Sequence, residues 1–141
     1  MKDYVLDANA VIRYFTVGDG QGGEKVRGLF EEAERNQVRL SMSAINMGEV
    51  FYILLKHIGE QRALHYVQVL QHAVTMVDAD ASRTIEAATL KHRYKLGYAD
   101  SFAAALALGA KATLVSADPS FEKVGKSLKW MRLPKFDSKS R

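Results

Sequence analysis

One feature restricts this chain more than any other: a short apolar run that turns into helical spacing within two residues. It occurs first at Tyr4-Val5-Leu6-Asp7-Ala8-Asn9-Ala10-Val11-Ile12-Arg13-Tyr14-Phe15. The pattern then returns along the chain. Val38 to Met42 alternates like a strand, and Ser43 caps a helix running to about Ile58, where Gly59 stops it. Ala73 to Val77 reads as a strand before a helix from Ala81 to about Lys95, which Gly97 ends. Thr113 to Ser116 reads as a buried strand before Asp118-Pro119, and Leu128 to Leu133 as a last edge strand. Helices also fit Glu24 to Asn36, Glu60 to His72 and the small-residue stretch Tyr98 to Ala110. Alternating strands and helices joined by right-handed crossovers favour an α/β fold with a parallel sheet.

A chain of 141 residues fits one domain with a real core, and 48% apolar with 26% charged residues is an ordinary globular composition. We assign residues 1–133 to the domain and 134–141 to a basic tail. No apolar run is long enough to span a bilayer, and Asp3 and a strand stand where a signal peptide would need its apolar segment. The absence of Cys excludes disulfides and thiolate metal sites and fits a cytoplasmic protein. The net charge of +4 is uneven: residues 119–141 sum to +5, and residues 1–118 to −1. A basic end on a near-neutral body points to a polyanionic or acidic partner, or to a solubilising tail.

Two attractive features carry little. Gly18-Asp19-Gly20-Gln21-Gly22-Gly23 lacks the Lys-Ser/Thr ending of a phosphate cradle and reads as a flexible connection. His57, His65, His72 and His92 lack ligand spacing and read as helix-surface residues.

Four acids stand out. Asp7 closes the first strand, and Asp118 follows the strand at Thr113 to Ser116. Asp100 lies in the first turn of its helix. Glu49 lies on a helix apolar nearly all round, which reads as buried, with Lys56 two turns away as a structural partner. Each has a plain alternative, since Asp7 or Asn9 can cap a helix, Asp100 suits the helix dipole and Asp-Pro is a good helix start. With parallel strands, however, all four face one crevice. Two carboxylates ~4 Å apart repel by about 4 kcal/mol at an effective dielectric constant of ~20. A hard divalent cation such as Mg²⁺ offsets that repulsion, prefers oxygen ligands and keeps several waters. Metal-assisted phosphodiester hydrolysis is the simplest reaction consistent with these side chains, and basic residues would hold the phosphate backbone, Arg13 being one candidate.

Four segments in this order carry a resemblance: Val5-Leu6-Asp7-Ala8-Asn9-Ala10-Val11-Ile12, Asn46-Met47-Gly48-Glu49-Val50, Tyr98-Ala99-Asp100-Ser101-Phe102-Ala103-Ala104-Ala105, and Leu114-Val115-Ser116-Ala117-Asp118-Pro119-Ser120-Phe121. Over essentially its whole length the chain resembles PIN-domain proteins, more narrowly VapC-type toxins of toxin–antitoxin pairs. The resemblance implies a three-layer α/β/α fold with a mainly parallel sheet, and an endoribonuclease dependent on Mg²⁺ or Mn²⁺. It implies that Asp7, Glu49, Asp100 and Asp118 form the metal site, with Asp7 and Asp100 as direct ligands. Asn9 would orient Asp7 or a metal-bound water, and Ser116 would do so near Asp118; the family commonly has Ser or Thr at both places, so Asn9 departs from its pattern. Homodimers are implied too, as is a small antitoxin whose C-terminal segment blocks the acidic pocket. A PIN nuclease of RNA processing and a non-catalytic RNA-binding module are the alternatives. A haloacid-dehalogenase-like phosphatase with Asp7 as nucleophile is disfavoured, because Asn9 cannot donate a proton as a second Asp would.

Overall fold

A computed structural model of the chain describes residues 1–17 and 20–135. Gly18-Asp19 of the glycine-rich connection, and residues 136–141 of the tail, lie outside the described residues. The elements run β1 (Lys2–Leu6), α1 (Ala8–Val17), α2 (Gly23–Glu34), β2 (Val38–Ser43), α3 (Ala44–Ile58), α4 (Glu60–Ala73), β3 (Thr75–Val77), α5 (Ala81–Tyr94), α6 (Tyr98–Ala110), β4 (Thr113–Ser116), a 3₁₀ segment at Pro119–Ser127, and β5 (Trp130–Arg132). The five strands form one sheet in the order β3-β2-β1-β4-β5, and every pairing is parallel.

The α/β layering follows from the strands' side-chain alternation. Tyr4 and Leu6 point to one face and Val5 to the other; Val115 and Leu114 divide in the same way. The first face is covered by α1 to α4 and the second by α5, α6 and the 3₁₀ segment. A central parallel strand buried on both sides must be apolar throughout, as Val5, Leu6, Leu114 and Val115 are. The edge strands β3 and β5 have three residues each, which leaves little free backbone for unwanted pairing.

The topology also creates a crevice. From β1 the chain builds outward through β2 and β3, then returns to place β4 on the other side of β1. Such a switch in direction opens a gap at the carboxyl ends of the strands, where α/β proteins bind their ligands.

Three expectations need correction. α5 is ended by Lys95, which adopts the left-handed conformation (φ 57°), while Gly97 starts α6 in an ordinary extended conformation. The described part of the glycine-rich connection is a tight junction. Gly22 has φ 92°, and a Cβ there would sit 2.8 Å from Pro134 Cδ, so the returning chain needs glycine at this point. Arg13, a candidate for phosphate contact, is 4% exposed and clasps the same junction. Its Nη1 donates to the Gln21 carbonyl at 2.9 Å and to the Pro134 carbonyl.

Replacing Arg13 by Leu is therefore expected to lower stability by about 1–3 kcal/mol, read from the urea midpoint, because two partly buried carbonyls lose a charged donor. An unchanged midpoint would show that the clasp does not hold this junction together.

Candidate active site at the switch point

Asp7 follows β1 directly and caps α1, its Oδ1 accepting the Ala10 N–H at 2.8 Å. It is 2% exposed. Asp118 follows β4 and caps the 3₁₀ segment, its Oδ1 accepting the Ser120 N–H at 2.9 Å. The capping and site readings are thus compatible, because each carboxylate uses one oxygen on the backbone and keeps a second. Ser116, the last residue of β4 and fully buried, joins these two ends of chain. Its Oγ accepts the Asp118 N–H at 3.0 Å, and its hydroxyl favours the charged form of the nearby Asp7 carboxyl.

Asp100 reaches the crevice differently from expectation. Its helix follows α5 rather than a strand, and α6 lies across β1, β2 and β4 with its first turn toward the crevice. Asn46, buried on α3, fixes that approach: Nδ2 donates to the Ala99 carbonyl at 3.1 Å and to Glu49 Oε1 at 3.2 Å. Asn46 was not singled out in sequence, although its place three residues before Glu49 puts both on one helix face.

Glu49 is exposed, contrary to the buried setting expected from its apolar neighbours. Val50 and Leu54 bury the opposite face of α3, while Glu49, Tyr52 and Lys56 share the outward one. Lys56 sits over the Tyr52 ring, its Nζ 5.2 Å from the centroid, instead of pairing with Glu49. Asn9 is exposed on the first turn of α1. The four His residues are exposed on α3, α4 and α5, in agreement with the sequence reading.

The four acids feel one another. Burial pushes the Asp7 carboxyl up to about 7, with Asp118 and Glu49 adding to the rise and the hydrogen bonds from Ser116 and Ala10 opposing it. Asp100 also rises to about 7, first through burial and then through Asp118, with Asp7 and Glu49 contributing. Asp118 is held below its ordinary value. Burial pushes it up, but hydrogen bonds from the Ser120 backbone and from Asp100, together with Lys123, outweigh that effect. Asp100 and Asp118 thus shift in opposite directions, as two neighbouring carboxyl groups that oppose each other's charge do.

This donor set fits a hard divalent cation. It offers carboxylate oxygens already in mutual repulsion, and Asn46 Oδ1 is buried with no hydrogen-bond partner among the described residues. No three of the acids are yet gathered as a ready ligand cage among the described residues. A cation that keeps several waters and takes one or two carboxylates does not require such a cage.

Comparison with known proteins agrees with this architecture. A family model described as the PIN domain matches residues 4–127. The structure is similar to VapBC2 from Rickettsia felis bound to a DNA fragment from its promoter, at 18% identity and a TM-score of 0.73, covering 96% of this chain and 99% of that one. It is also similar to VapC20 from Mycobacterium tuberculosis, a sarcin-ricin loop cleaving toxin, at 16% identity and a TM-score of 0.70, covering 86% and 95%. VapBC from Salmonella typhimurium, bound to DNA, aligns at 18% identity with a TM-score of 0.73, covering 94% and 98%. At such identities the likeness establishes the fold. No curated protein matches the chain in sequence.

The raised carboxyls set the pH dependence of the metal-free protein. Asp7 and Asp100 keep a proton up to about pH 7 when folded and release it near 3.8 when unfolded. Their contribution to stability is therefore largest at the acidic end of that window and is lost as pH rises through it. In chelator, the melting temperature is expected to be higher at about pH 5.5 than at about pH 8, and Asp100→Asn is expected to raise it at the alkaline end. A lower melting temperature for Asp100→Asn would mean that this carboxylate acts as a helix-start residue only.

Proposed function

Because the chain belongs to the PIN-domain family, we propose that it is a metal-dependent endoribonuclease, the toxin of a VapBC-type toxin–antitoxin pair. The observation that carries this reading is that Asp7 and Asp118 follow the adjacent strands β1 and β4 at the sheet's switch point, where Asp100 and Glu49 add their charge. Asp7 and Asp100 would hold Mg²⁺ or Mn²⁺, with Glu49 and Asp118 completing the acidic surround. When bound, such a cation lowers the pKa of water and neutralises charge developing on a phosphoryl group.

The chain's own residues prepare that chemistry. The Asp7 N–H donates to the Val115 carbonyl at 3.4 Å and the Asp118 N–H to Ser116 Oγ at 3.0 Å, which keeps the ends of β1 and β4 side by side. The Ala10 and Ser120 N–H groups each hold one carboxylate oxygen, Oδ1 of Asp7 and Oδ1 of Asp118, and so fix the two side chains. Asn46 holds Glu49 Oε1, so that Oε2 of this exposed acid is the oxygen open to a water. Glu49 would accept the proton of the attacking water there. Asn9, exposed at the same helix start as Asp7, would contact that water or the substrate.

RNA is the expected substrate, and a small antitoxin presenting a basic side chain to the acids is the expected inhibitor. Several of the similar structures are toxin–antitoxin complexes, such as one from Klebsiella pneumoniae, which supports such a partner. A homodimer acting in the cytoplasm completes the proposal. Among the described residues no helix is long and apolar enough to cross a membrane. The basic residues from Lys123 onward would add phosphate affinity.

Purified protein free of antitoxin is expected to yield discrete fragments from total RNA with Mg²⁺ or Mn²⁺ and none with chelator. Asp7→Asn keeps an oxygen to cap α1 and is expected to fold, yet to lose at least about a hundredfold in cleavage rate. Cleavage that survives this substitution would contradict the assignment of the crevice.

A further inference from the structure

Two cations beside the crevice are committed to other contacts. Arg13 lies in the field of Asp7, but its guanidinium clasps the chain at Gln21 and Pro134. Arg132, paired in register with Ser116, meets Glu122 at 3.6 Å and lies over the Trp130 ring, 4.9 Å from its centroid. Lys123 differs from both. It is exposed, and its Nζ donates to the Lys95 carbonyl at 3.3 Å. Among the described residues it makes no ion pair with a carboxylate. A carbonyl is neutral, so this contact holds the ammonium group without cancelling its charge. An ammonium group also has more donors than this one bond uses.

Two independent observations place Lys123 at the crevice. It lies in the 3₁₀ segment that Asp118 caps, and its charge helps to hold Asp118 below the ordinary value. Its anchor, Lys95, belongs to the turn between α5 and α6, just ahead of Gly97. At Gly97 a Cβ would stand 3.3 Å from Asp100 Oδ2, so this turn runs directly past the Asp100 carboxylate. Ser101 Oγ holds the turn in shape by donating to the Gly97 carbonyl at 2.8 Å. The Lys123 contact thus ties the segment that begins at Asp118 to the turn that leads to Asp100. A lysine on the carbonyls at a helix C-terminus can also be a simple cap. Lys91 already fills that role from within α5, its Nζ donating to the Leu96 carbonyl at 3.0 Å. Lys123 reaches the same turn from 28 residues away, out of the segment that starts at a crevice acid.

We infer that Lys123 is a phosphate-positioning residue, holding an RNA backbone phosphate beside the scissile bond on the Asp100–Asp118 side of the crevice. The assignment rests on the nuclease reading above, and narrows its general phosphate affinity at the basic end of the chain to one anchored side chain. Four carboxylates repel a phosphate backbone, and a divalent cation offsets only part of their charge. A neighbouring phosphate therefore needs a cation that is close to the acids yet not neutralised by them. Lysine is a compact point charge suited to that contact. The carbonyl anchor restrains its flexible stem before RNA arrives, which lowers the ordering cost of binding. Lys123 would then act on where the strand lies, while the acids act on the bond.

The test measures binding of a short, fluorescein-labelled, unstructured RNA by anisotropy over a series of KCl concentrations, in an Asp7→Asn background. Lys123→Gln is expected to weaken binding about fivefold or more at low salt, and to reduce the slope of log affinity against log salt by about 0.7, as loss of one single-strand phosphate contact does. Lys123→Arg keeps the charge and is expected to keep the slope. Lys2→Gln removes the same charge at the first residue of β1, at the opposite end of the strand from Asp7, and is expected to change neither quantity. In the active protein, Lys123→Gln is expected to raise KM several-fold more than it lowers kcat. A lower melting temperature for Lys123→Gln, with affinity and salt slope unchanged, would reduce Lys123 to a cap of α5 and overturn the assignment while leaving the nuclease reading in place. An equal loss in Lys2→Gln would overturn it too, by reducing the effect to net charge. Absence of RNA cleavage with either metal, alongside a salt slope that Lys123→Gln still reduces, would remove the nuclease reading and keep the phosphate contact.

Discussion

Ser116 is the joint on which the crevice depends. Its hydroxyl accepts the Asp118 N–H at 3.0 Å, while its carbonyl accepts Trp130 Nε1 at 3.1 Å and the Leu133 N–H at 2.9 Å. One small buried residue, through its hydroxyl and its main-chain carbonyl, thereby ties the carboxyl end of β4 to the turn that carries Asp118 and to the chain leaving β5. A residue without the hydroxyl would leave the Asp118 N–H without its acceptor. The parallel sheet brings the strand ends to one edge. Ser116 holds the turn that carries Asp118 to that edge.

The same acids serve fold and site, and the two roles pull in opposite directions. Capping draws Asp7 and Asp118 onto backbone N–H groups, which favours their charged forms; burial and mutual repulsion work against charge at Asp7 and Asp100. The result is a crevice that holds protons near neutrality when no cation is present. Strain of this kind at a cluster of like charges is what a binding site for a counter-charge contributes to the free protein, and the rest of the α/β core has to offset it.

Much of this was legible in the sequence. Strand runs, the Ser43 cap and the Asp118-Pro119 start depend on neighbouring residues alone, and the structure has them where local chemistry puts them. What failed depended on distant contacts. Glu49 looked buried because apolar residues flank it on α3, but no local pattern reveals that one face of that helix lacks a covering element. Arg13 looked available for phosphate until the chain returned at Pro134 to use it. Asp100 arrives on a helix that follows another helix, so the rule placing acids after strands found it for an incomplete reason. Asn46 was visible as the only polar neighbour of Glu49 on its turn, yet its bond to Ala99 needs the packing of α3 on α6.

The most direct test of the account is to locate a cation. Crystals of the protein soaked in Mn²⁺ and measured at the manganese edge are expected to show anomalous density against Asp7 and Asp100, and none in Asp7→Asn crystals treated alike. Density elsewhere on the molecule, or none under conditions that support RNA cleavage, would contradict the claim that these acids form the metal site of a nuclease.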